Sequence, residues 1–203
     1  MRLSLIIMAA CAAVQLTSVC AASVEKQAVD LQASMAHAEK ALKVAREELA
    51  TSSSDAIWLR RWEVEQNVEQ ELIEDEVELA RLKGLQQGDA ASDPVAAAAA
   101  LGCSVRGQIT AIQRIDRALA YCCEIRKAET ASKRHRACCD SIEGLCRLCA
   151  AHLESFDAGI ESLKRYYRDD EWGLYDIQLK VKDARDRVTD ALKTEDPGEA
   201  YSR

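Results

Sequence analysis

The stretch VEKQAVDLQASMAHAEKALKVAREEL, residues 24–49, decides the fold class. Val24, Ala28, Leu31, Met35, Ala38, Leu42, Ala45 and Leu49 recur in it at alternating steps of four and three. At 100° per residue these positions collect on one seam of a helix, whereas a strand would alternate in twos. The alanines in the seam let a partner helix come close. TSSSD at 51–55 then breaks the pattern and offers Ser54 or Asp55 as cap for the next helix.

Downstream the same period continues. A helix over about 56–86 carries Ile57, Val64, Val68, Leu72, Leu79 and Leu82 on one stripe. Trp58, Leu59, Trp62, Ile73 and Val77 lie roughly 100–200° around the axis from it, so this helix packs on two sides or turns one face to a partner. GDAASDPVAAAAALG, 88–102, reads as a linker with Asp93 and Pro94 starting a short alanine-rich turn, breakable at Gly102 and Gly107. A third long helix then shows Val105, Ile109, Ile112, Ile115, Leu119, Cys122 and Cys123. A fourth, about 136–168, repeats Cys138, Ile142, Leu145, Cys149, Leu153, Phe156, Ile160 and Leu163. DDEWG at 169–173 marks a boundary before a fifth, with Leu174, Ile177, Val181, Ala184, Val188 and Ala191. The expectation is an all-α chain: an antiparallel bundle of four to six helices in one domain, 23–196, with 197–203 a frayed tail.

Upstream of the seam, Arg2, an apolar run from Leu3 to about Leu16 and the small residues Cys20, Ala21 and Ala22 form the pattern of a secretory signal peptide, 1–22. The run is short for a permanent anchor, and no integral membrane span is expected. Without Arg2, 26 of the 27 basic residues face 34 acidic ones, a net charge near −8. That balance points away from nucleic acid, whose binders cluster positive charge. The product is expected to be secreted.

Nine cysteines are present, two of them in the leader; the other seven lie between 103 and 149. In an exported chain such clustering reads first as disulfides. The twins Cys122, Cys123 and Cys138, Cys139 stand symmetrically about the connection between the third and fourth helices. An antiparallel hairpin therefore puts them at one height. Adjacent helical residues point about 100° apart, so each twin divides between the two flanks of the seam. A disulfide-stapled helical hairpin follows, Cys122 bonding Cys138 and Cys123 bonding Cys139, each closing about 17 residues and contributing roughly 3 kcal/mol. Cys103 is then expected with Cys149. Cys146 is left as a free thiol, available for an intermolecular bond.

The alternative for the same run is a metal. Cys146, Cys149 and His152 follow a C-x2-C-x2-H spacing with the N and S donors that zinc accepts. The cysteines over 122–152 resemble those lining exported four-helix copper-storage proteins, which implies Cu(I) held by thiolates. The resemblance stops there, because the first, second and fifth helices carry no thiol outside the leader.

From Glu63 to Glu78 there are eight acidic residues and no basic one, which reads as a solvated helix face. Around the hairpin tip Lys133, Arg134 and Arg136 are candidate contacts for an anionic partner. Trp58 and Trp62, at i and i+4, are core residues or the aromatic anchor of a binding face. No nucleophile and base occur in a recognisable arrangement, so neither catalysis nor a cofactor is expected. The alanine-rich seams resemble in outline the helical surface proteins of protozoan parasites. The expected function is that of a secreted, non-enzymatic helical interaction protein, effector-like or a coat component, with a protein partner; a soft-metal or lipid carrier is the alternative.

Overall fold

The computed structural model describes residues 2–87, 93–129, 132–168, 171–194 and 196–201, with side chains from residue 22 onward except that of residue 200. Six helices follow one another: α1 (Arg2–Ala50), α2 (Asp55–Leu85), α3 (Pro94–Ala128), α4 (Lys133–Leu163), α5 (Leu174–Ala191) and α6 (Pro197–Tyr201). Described residues outside them are turns and caps. The leader expected at 1–22 falls almost wholly on side chains outside the description. Neighbours in sequence are neighbours in space: α1 packs on α2, α2 on α3, and α3 on α4, while α5 and α6 close the far side against α3 and α4.

α3 is the central helix, which explains why it is apolar enough over 18 residues to match a membrane span. Its Val105, Ala111, Ile112, Ile115 and Leu119 are buried together with Ile142, Phe156 and Ile160 of α4 and Val181 and Val188 of α5. The seam of α1 meets Leu72, Leu79 and Leu82 of α2 through Ala28, Met35 and Leu42 in a second cluster. α2 is thus packed on two sides.

Three expectations about boundaries need correction. α3 is one unbroken helix from Pro94, capped by the Asp93 carboxylate accepting from Val95 N at 2.9 Å. Gly102 and Gly107 do not break it because they serve close approach. A Cβ at Gly107 would stand 2.3 Å from Ala80 Cβ, and one at Gly102 would stand 2.7 Å from Trp172 Cη2. α4 starts at Lys133 because Ser132 Oγ caps it by accepting from His135 N. The expected frayed tail is instead helical over 197–201, and Tyr201 is buried.

Candidate functional site

Side chains that carry chemistry gather in two places: a charged layer between α1, α2 and α3, and a thiol-rich layer between α3 and α4. In the first, Arg46 of α1 donates from Nε to Glu65 Oε1 at 2.7 Å and from Nη2 to Glu69 Oε2 at 2.9 Å. Its guanidinium also lies 4.2 Å from the ring centre of Tyr121. Arg114 of α3 reaches Glu39 at 2.8 Å, Glu69 at 3.6 Å and Glu76 at 3.5 Å. Glu65 is fully buried and Glu69 nearly so. Burial pushes the Glu69 carboxyl above its ordinary value, and Arg46 and then Arg114 pull it back. Two residues of the acidic run are therefore interior ion-pair partners, which corrects the solvated-face reading. The sequence held one clue: Arg114 stands directly before Ile115 and two places after Ile112, inside an apolar run.

In the second layer Cys122, Cys123, Cys138, Cys146 and Cys149 are buried, and Cys103 and Cys139 are half-buried. Among the described residues no two cysteines are bonded. Burial lifts the Cys122 thiol well above its ordinary range and pushes Cys138, Cys146 and Cys149 up to about 12. Protonated thiols in that state are poor nucleophiles and behave as small apolar fillers. Gln66 Nε2 donates to Cys122 Sγ at 3.6 Å and to Glu65 Oε2 at 2.6 Å, tying the two layers together.

The structure sorts the expected site residues. Cys138 lies close enough to Cys122 to help raise that thiol's affinity for its proton, after burial and Glu65. Cys123 and Cys139 lie near one corner: Cys123 Sγ donates to Gly198 O at 3.9 Å, and Cys139 lies near Arg126, whose guanidinium rests on Gly198. The pairing of Cys103 with Cys149 is overturned by helix register. Cys149 sits beside Asp116, and residues 103 and 116 are roughly 20 Å apart at 1.5 Å per residue, far beyond the 7 Å a disulfide spans. Cys146 is buried inside the bundle and presents no sulfur to another chain. The zinc set is not assembled either: His152 Nδ1 pairs with Gln108 Oε1 at 2.7 Å, and among the described residues no three metal-binding side chains converge.

Trp58 and Trp62 stack at 5.0 Å between ring centres inside the core, where Trp62 Nε1 donates to Ser141 Oγ at 3.0 Å. Both are under 5 % exposed, so neither anchors a partner. One residue of the basic patch is spent within the fold. Arg134 donates to Asp55 Oδ1 at 2.7 Å and to Ser53 O at 3.3 Å while lying over Trp58. Only Lys133 and Arg136 of the three candidates stay exposed.

What periodicity missed is an open trough between α1 and α2. Val44, Ile57 and Val64 stand 52 %, 52 % and 51 % exposed around it. A hollow of about 500 Å³ between Ala45, Ala56, Ile57 and Val64 continues into one of about 430 Å³ beside Ala41 and Val44. Lys40 and Arg60 stand on its rim with no ion-pair partner among the described residues. Ile57 and Val64 had been placed on the buried stripe; α1 covers that stripe over Leu72, Leu79 and Leu82 and leaves these two at its edge. No protein-family model, curated protein or solved structure matches the chain.

Proposed function

We propose that the chain is a secreted, non-enzymatic interaction protein that holds an amphipathic helix of a protein partner in the α1–α2 trough. The observation that carries this reading is the trough itself: three large aliphatic side chains half exposed around one continuous apolar hollow. Two antiparallel helices leave a groove of the width a third helix fills, with anchors spaced by turns. Lys40 and Arg60 on the rim favour a partner whose leucine stripe is flanked by carboxylates. The α3–α4 hairpin behind it is proposed to be stapled in the oxidising compartment by Cys122–Cys138 and Cys123–Cys139, which fix the scaffold without touching the trough.

The test is fluorescence anisotropy with a labelled peptide helix carrying leucines at i, i+3, i+4 and i+7 between flanking glutamates. Wild type binds it, more weakly as salt rises. Val64→Glu weakens binding at least tenfold and the double change Lys40→Glu, Arg60→Glu several-fold, with helix content by circular dichroism unchanged in both. Equal binding by wild type and Val64→Glu sinks the reading. An acyl chain is the other occupant a hollow of this size admits. Stoichiometric lipid extracted from natively secreted protein would put the carrier alternative ahead.

A further inference from the structure

The last described residues form a clasp over one corner of the thiol layer. Asp196 takes Arg126 Nη1 on both carboxylate oxygens, at 2.8 and 2.7 Å. Its Oδ1 also accepts from Gly198 N at 2.9 Å and Glu199 N at 3.1 Å, which starts α6. The Arg126 guanidinium lies against Gly198, where an added Cβ would come within 2.7 Å of its Cζ, and near Cys139. Gly198 O receives the Cys123 thiol. At the other end of α6 the Tyr201 hydroxyl donates to Asp116 Oδ1, and Arg187 pairs with that carboxylate at 2.6 Å while lying over the tyrosine ring. Between these fastenings a hollow of about 340 Å³ opens beside Cys123, Asp116 and Tyr201.

We propose that α6 is a strap that gates chemical modification of Cys123: docked, it covers that sulfur; released, it opens it to thiol–disulfide exchange with a small disulfide, in which the half-buried Cys139 takes part. The product pairing rests on the staple proposed above, whereas the gate does not. In the exchange the Cys139 thiolate attacks one sulfur of the small disulfide, whose S–S bond breaks and releases one thiolate. Cys123, as thiolate, then attacks the Cys139 sulfur of the mixed disulfide and releases the second. Two protein thiols are oxidised, one small disulfide is reduced to two thiols, and the two protons from the protein pass to the released thiolates.

The strap has three separate fastenings, and each can be loosened without touching the thiols. Tyr201→Ala removes the ring and the bond to Asp116. Gly198→Ala wedges the guanidinium off the strap. Asp196→Asn keeps an oxygen to cap α6 but removes the charge that holds Arg126. The reduced, folded full chain is exposed to iodoacetamide and, separately, to oxidised glutathione, with each cysteine followed by peptide mapping. Labelling of Cys123 is expected to rise at least tenfold in Tyr201→Ala and several-fold in the other two. Cys122, which is buried against Gln66 of α2 and not against α6, should not change. An unchanged rate at Cys123 in all three variants overturns the gate, and so does an equal rise at every buried cysteine, which would report general loosening. With glutathione, strap-dependent formation of a Cys123–Cys139 bond supports both readings. A strap-dependent bond from Cys123 to a different cysteine supports the gate and overturns that staple.

Discussion

At the scale of single residues, burial of the thiols determines how the fold answers to alkali. In the unfolded chain a cysteine gives up its proton near 9, whereas Cys138, Cys146 and Cys149 hold theirs to about 12 in the fold. Between those values the folded state binds more protons than the unfolded one, so stability falls as pH rises. The contribution is complete below about 9 and is lost progressively towards 12. Urea midpoints of the reduced protein should therefore be flat up to pH 8.5 and decline above 9. Cys146→Ala should cost about 1 kcal/mol at neutral pH from lost packing yet decline less steeply, because one of the titrating thiols is gone. A slope identical to wild type would mean that the Cys146 sulfur is not held in this way. Arg46 makes a second prediction. Arg46→Met leaves Glu65 and Glu69 in the interior without the cation that faces them from α1. Stranding a buried charge costs roughly 3 kcal/mol, and Glu65→Leu in the same chain should recover part of it, read as the coupling in a double-mutant cycle.

At the scale of elements, the two kinds of glycine in these helices separate helix propensity from packing. Gly144 is exposed, and a Cβ there meets nothing within 4 Å. Gly144→Ala should raise stability by about 0.5–1 kcal/mol through propensity alone. Gly107→Ala gains the same propensity but drives its Cβ to 2.3 Å from Ala80 Cβ, an atom with no rotamer to move into. Overpacking of that kind costs about 1–3 kcal/mol, so the net change is expected to be destabilising. Thermal melts of the two variants, shifted in opposite directions, are the check. The same contrast explains what could be read from the chain alone. The seams of α1, α3, α4 and α5 were legible because a helix buries what its own period aligns; of the residues assigned to α4, from Cys138 to Leu163, all are buried. Gly102 and Gly107 were misread as breaks because their reason lies in Trp172 and Ala80, on other elements. The acidic run on α2 was misread likewise: nothing local distinguishes Glu65, which faces Arg46, from Glu63, which faces water. The trough at Val64 escaped because periodicity orders a face but does not say how far the neighbouring helix covers it.

At the scale of the whole molecule, the helices are layered unequally. α3 packs on α2, α4, α5 and α6, whereas among the described residues α1 lies backbone to backbone against α2 alone and meets α3 through long side chains, Glu39 to Arg114 and Arg46 over Tyr121. Its outer face leaves Val29 and Val44 in water. Regions with the fewest buried contacts open first and at the lowest free energy, so α1 should be the earliest unit to separate and the α3–α4 hairpin the last. Hydrogen exchange of the intact chain tests this order. Amides of α1 between residues 24 and 50 are expected to exchange together, ahead of those in α3 and α4, and below the free energy of global unfolding. Arg46→Met removes two of the charged tethers of that helix, so it should lower the opening free energy of α1 by more than that of the hairpin. Adding the acidic peptide helix should do the reverse, because a ligand seated between α1 and α2 binds only while both are in place. Protection that rises equally in all helices would show that α1 opens only with the rest, and the trough would then be a fixed feature of one cooperative bundle.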